Sequence, residues 1–128
     1  MSNVTPPAHC TFEPDDWLKL AAQWHPVARA MDIGGAPVKA VLLDEQLVLY
    51  RINGEVVAAR DVCPHRGVPL TLGFHDEQGI VCPYHGLRFG EGGKCNRIPS
   101  SPDQAIPAKL NLSTYQVEER YGLIWVCL

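Results

Sequence analysis

No stretch of this 128-residue sequence comes near the length of a membrane span. Its longest apolar run is the six residues Leu123-Ile124-Trp125-Val126-Cys127-Leu128, against the roughly 20 that a helix needs to cross a bilayer. Charge of one sign is also lacking. Eleven Lys and Arg stand against 14 Asp and Glu, a net charge of −3, which leaves no basic footprint for nucleic acid and no charge excess that would keep the chain disordered. The start, Met1-Ser2-Asn3-Val4-Thr5-Pro6-Pro7, has neither a basic segment nor an apolar core, so no secretory signal is expected and the chain is read as cytoplasmic. The five cysteines are an odd number, and a disulfide framework does not suit that compartment. Repeats and low-complexity tracts are missing too. The length fits one domain, 1–128, with a modest core.

What is present reads mainly as β-structure. Residues 1–14 are proline-rich and irregular by pattern. Asp15-Asp16, ahead of apolar residues at helical spacing between Trp17 and Trp24, predicts a short helix with both tryptophans as packing anchors. After Gly34-Gly35, residues 38–43 and 47–52 read as strands broken by Asp44-Glu45-Gln46. Asn53-Gly54, between 49–52 and 55–58, is a two-residue hairpin signal. Residues 61–100 are turn-rich, with short strands expected at 79–82 and 87–89. Residues 113–118 and 123–127 form a closing hairpin around Arg120-Tyr121-Gly122. The fold class is therefore all-β: an antiparallel β-sandwich with a small subdomain at about 61–100 and a short N-terminal helix.

Within that subdomain lie Cys63-Pro64-His65 and Cys82-Pro83-Tyr84-His85, with sixteen residues between His65 and Cys82. Each segment brings one thiolate and one imidazole donor to a single tight loop. Pro64 and Pro83 fix φ and remove a backbone donor, which stiffens both loops. Gly67 and Gly86 follow the histidines and permit close approach of backbone to a bound group. Two cysteines and two histidines also suit tetrahedral zinc, yet zinc patterns usually place the cysteines together and the histidines together. Here each loop is mixed. The charges from 61 to 97, Arg66, Arg88, Lys94 and Arg97 against Asp61, Asp76, Glu77 and Glu91, balance and select no partner by sign. Of the remaining cysteines, Cys95 and Cys127 read as core residues and Cys10, in the proline-rich lead, as the one for exposure.

The C-x-H…C-x-x-H pattern resembles that of Rieske [2Fe–2S] proteins, in which two cysteines hold one iron and two histidines the other. The resemblance implies that Cys63, His65, Cys82 and His85 bind the cluster within the 61–100 subdomain. High-potential Rieske proteins carry two further cysteines in a disulfide where this sequence has Val68 and Tyr84. They carry cluster-bonding Ser and Tyr hydroxyls where it has Leu87 and Phe89. Fewer donors to the cluster imply a potential at the low end of the roughly −150 to +300 mV Rieske range.

The wider similarity, over about 24–128, is to the N-terminal domain of Rieske non-haem iron oxygenases, the ring-hydroxylating and O-demethylating enzymes. It rests on Trp24-His25-Pro26-Val27-Ala28, Cys63-Pro64-His65-Arg66-Gly67, Cys82-Pro83-Tyr84-His85-Gly86-Leu87-Arg88-Phe89, Gly93-Lys94-Cys95-Asn96-Arg97-Ile98-Pro99-Ser100 and Tyr121-Gly122-Leu123-Ile124-Trp125-Val126. It implies one-electron transfer from a reductase or ferredoxin to a mononuclear iron. That iron sits in a domain with two histidines and a carboxylate. The spare histidines, His9, His25 and His75, do not form such a triad by position and read as surface or packing residues. The chain is thus read as an oxidoreductase component without a substrate-oxidising site of its own. Neither nucleic acid nor membrane is expected as a partner. A free-standing Rieske ferredoxin and a zinc-stabilised interaction module are the alternatives.

Overall fold

A middle sheet organises the chain. In the computed structural model, which describes residues 4–65, 67–76 and 78–128, β2 (Val38–Leu42), β3 (Glu45–Ile52) and β4 (Glu55–Arg60) pair antiparallel in the order β2-β3-β4. The first three residues of the lead, Arg66 and Glu77 lie outside the described residues. Leu47, Val48, Leu49 and Tyr50 are all fully buried, because this strand is covered on both faces and needs an unbroken apolar run. Alternation sends Val48, Tyr50 and Ile52 into one core with Leu70, Ile80, Leu87, Phe89, Cys63, Cys82 and Cys95. Leu47 and Leu49 go into the other with Trp17, Leu42, Ala58, Ile124 and Val126.

The turns on either side of β3 follow from their backbones. Asn53 and Gly54 have φ of 52° and 83°, the left-handed pair of the expected tight hairpin. The expected polar break at 44–46 is shorter than the sequence suggests. Leu43 and Asp44 take positive φ, and Glu45 and Gln46 already pair with Leu42 and Val41.

One face of the middle sheet is closed by β1 (His25–Arg29), β10 (Leu123–Cys127) and β9 (Gln116–Arg120), in the order β1-β10-β9. The closing hairpin turns at Tyr121 and Gly122 as expected. Its first strand starts later, since Thr114 makes only an isolated bridge to Ala59. Strand β1 was not expected. It tolerates Pro26 because it is an edge strand whose register shifts between Pro26 and Ala28. Helix α1 (Pro14–Ala21) starts one residue ahead of Asp15, with proline in the first turn and Asp15 and Asp16 facing the positive end of the helix dipole. Trp17 is buried, and its indole N–H donates to Leu43 O at 2.8 Å. Trp24 corrects the expectation: it lies past the helix end, leaves the Trp17–Ala21 stripe and is 42% exposed.

The other face carries β5 (Phe74–Asp76), β6 (Gly79–Val81), β7 (Arg88–Phe89) and β8 (Cys95–Arg97), in that order. Strands β6 and β7 match expectation. β5 and β8 are three residues each and carry no period-2 pattern long enough to be seen. Ile80 and Phe89 bury completely in the core they share with Val48 and Tyr50, and Tyr50 OH donates to Gly90 O at 3.2 Å. Among the described residues no helix is long and apolar enough to cross a membrane. The class is the expected one: antiparallel β throughout, with one short helix.

Candidate metal centre

The two candidate ligand loops are closed in the same way. Cys63 N–H donates to Val68 O at 2.9 Å and Cys82 N–H to Leu87 O at 2.8 Å, so each cysteine bonds to the residue five positions on. The first loop follows β4, and the second connects β6 to β7. Gly67 N–H also returns to Cys63 O at 2.7 Å. These closures need left-handed backbone next to the histidines. Gly67 and Gly86 supply it at φ of 75° and 72°. His85 adopts it as well, at 67°, a conformation that costs a side-chain-bearing residue about 1–2 kcal/mol and that the loop closure maintains.

The closures sort the four donors by depth. Cys63 and Cys82 are 0% and 1% exposed, in the core formed with Val48, Leu87 and Phe89. His65 and His85 are exposed, with ring centroids 5.6 Å apart and planes at 75°. The Tyr84 ring lies 4.0 Å from that of His85. Burial pushes the Cys82 thiol up to about 11, against the Tyr84 backbone N–H, which favours the thiolate, and with the Cys63 thiol adding a smaller push upward. So one sulfur from each loop meets on the dry side, and one imidazole from each loop meets at the surface.

That pairing, thiol with thiol and imidazole with imidazole, fits a binuclear iron–sulfur group with like ligands on each iron. Among the described residues, no three His, Cys, Asp or Glu side chains form a group that could hold one metal ion directly. A bound group would draw protons off both thiols and would meet the Tyr84 N–H as a donor to sulfur.

The structure sets Cys63 beside Cys82 and His65 beside His85 and leaves the spare histidines apart. His9 is exposed in the lead. His25 sits on β1 with Nε2 at 2.8 Å from Leu20 O. His75 sits on β5, its Nε2 buried without a hydrogen-bond partner among the described residues. Cys95 and Cys127 are buried as expected, whereas Cys10 is only half-exposed, against the second core. Sequence reasoning missed three supporting residues. Asp61 enters the sequence reading only as one of the balanced charges between 61 and 97, yet it is 4% exposed and its carboxylate accepts two hydrogen bonds from Thr71. Gly73 admits no side chain: a Cβ there would run into Val81 O and meet the Pro83 ring at 3.2 Å. The chain after Thr71 therefore lies directly against the second ligand loop.

Residues 23–116 match the Rieske [2Fe-2S] domain family. The chain is 40% identical over 111 residues to methylxanthine N1-demethylase NdmA of Pseudomonas putida, a match covering 82% of this chain and 32% of that protein. It is 40% identical over 104 residues to the vanillate O-demethylase oxygenase subunit of Pseudomonas sp. strain HR199, covering 80% of this chain and 28% of that one. The solved structure of NdmA from P. putida CBB5 superposes with a TM-score of 0.81 at 37% identity, over 88% of this chain and 36% of the other. The chain thus spans about a third of the length of the curated relatives it matches.

Proposed function

Because this chain belongs to the Rieske [2Fe-2S] domain family, we propose that it is the electron-relay domain of an oxygenase, with Cys63 and Cys82 holding one iron and His65 and His85 the other. The Rieske-type [2Fe–2S] cluster, when bound, supplies a reversible one-electron couple. The observation that carries this reading is the ordering of donors by depth, thiols buried and imidazoles exposed. Cys63 and Cys82 grip from the water-free side, where Leu87 and Phe89 keep solvent away. His65 and His85 bring the other edge to the surface, within reach of a partner. The backbone closures onto Val68 and Leu87 tie down both loops that carry the donors.

No hydroxyl reaches the site from Leu87 or Phe89, both of which are buried in the core, so the potential belongs at the low end of the Rieske range. A reductase or ferredoxin is the proposed donor and a mononuclear-iron oxygenase domain the acceptor, by analogy with the demethylases and oxygenase subunits matched above. The cysteines are free of disulfides, which suits a cytoplasmic setting.

The test is an anaerobic reductive titration of the cluster-loaded chain. Uptake of one electron per chain, returned in full to an outer-sphere oxidant, is the expected result. Uptake of none, or of two or more, contradicts a Rieske relay.

A further inference from the structure

Among the described residues two carboxylates are buried, Glu45 at 7% and Asp61 at 4% exposure. Glu45 has a cation, with Arg60 at 3.2 Å. Among the described residues no cationic side chain is at ion-pair distance from Asp61. Its partners are instead the Thr71 N–H, at 2.9 Å from Oδ1, and the Thr71 hydroxyl, at 2.7 Å from Oδ2. Asp61 and Thr71 stand on either side of the first ligand loop. The two hydrogen bonds therefore fasten the entry of the loop to its exit. Just beyond Thr71, the Gly73 backbone rests on Val81, the last residue of β6, and on Pro83 of the second loop. The fastening thus reaches both halves of the site.

Its charge is close to the site as well. Asp61 precedes Cys63 by two residues, so their Cα atoms are at most about 7 Å apart. Both side chains are buried, where water screens a charge poorly. A fixed negative charge at that distance would oppose the addition of an electron to a group held by the loop.

We infer that Asp61 is a positioning residue that both ties down the Cys63–His65 loop and lowers the reduction potential of the group held there. This rests on the Rieske reading of the site. Asp61→Asn keeps the shape and an acceptor for Thr71 but removes the charge. It raises the potential, shifting the reduced-to-oxidised ratio at fixed ambient potential about ten-fold, or about 59 mV for one electron. Thr71→Val removes the hydroxyl donor and leaves the carboxylate less compensated. It lowers the potential by a smaller amount. A purely mechanical clamp would not give shifts of opposite sign, since Asp61→Asn largely keeps the link and any weakening of it acts in the same direction as Thr71→Val.

The experiment is a potentiometric titration, followed by visible absorption and electron paramagnetic resonance, of the parent chain and both variants, each with its iron and sulfide content measured. Opposite shifts, upward for Asp61→Asn and downward for Thr71→Val, support the inference. A parent chain without iron and sulfide overturns the reading of the site itself. A loaded parent chain with an Asp61→Asn potential unchanged or lowered overturns the role of Asp61 alone. If Asp61→Asn loses its iron, Thr71→Val decides: a lowered potential supports the inference, an unchanged or raised one overturns it.

Discussion

Replacing Cys63 or Cys82 by serine removes the iron. Each chain should fall from about two irons and two acid-labile sulfides to near zero of both, and its visible absorption should vanish. Serine is a harder and far less acidic donor than cysteine, and iron–sulfur clusters take soft thiolate. At these positions, 0% and 1% exposed, no water can enter to replace a missing ligand. Cys127→Ala is the matched control. That thiol is also buried, with Sγ at 3.5 Å from Ala21 O, but it belongs to the opposite side of the middle sheet and should leave iron and sulfide unchanged. Colorimetric iron and sulfide assays on the three variants check this. An intact, unaltered cluster in Cys63→Ser would refute the ligand set.

The second large effect is a missing activity. Supplied aerobically with a reductase, NAD(P)H and a panel of aromatic and N- or O-methylated compounds, the 128-residue chain alone should form no oxygenated or demethylated product. Oxygen activation in mononuclear-iron oxygenases uses two histidines and a carboxylate with open positions. Among the described residues no three such donors converge. His25 and His75 are held on separate strands, and His9 lies in the lead. The proposed site spends all four of its side-chain donors on ligation and so offers the surface only the outer edges of His65 and His85. That suffices to pass an electron but not to bind a second reactant at iron. Product analysis by chromatography checks the expectation. Stoichiometric product from the purified chain would show that an oxidising site has been overlooked.

How much of this could be read from the sequence depended on whether the signal was local. The candidate donors were legible because each pair sits within four residues and the loop chemistry, Pro64, Pro83, Gly67 and Gly86, is written beside them. The hairpin at Asn53-Gly54 was legible for the same reason. Trp24 misled because helix periodicity does not reveal where a helix stops, and α1 ends at Ala21. Strands β1, β5 and β8 were missed because an edge position with a proline, or a three-residue length, leaves no pattern. The supports were hidden most deeply. That Asp61 is buried on Thr71, and that Gly73 lies against Val81 and Pro83, are facts of long-range packing that no spacing within the chain records. The left-handed backbone at His85 belongs with them, since only the closed loop imposes it.

The most direct test of the central claim is the metal and sulfide content of the purified chain, read together with electron paramagnetic resonance of its reduced form. A Rieske centre on Cys63, His65, Cys82 and His85 predicts two irons and two acid-labile sulfides per chain, and one unpaired electron after reduction. One zinc per chain with no sulfide and no signal would contradict it.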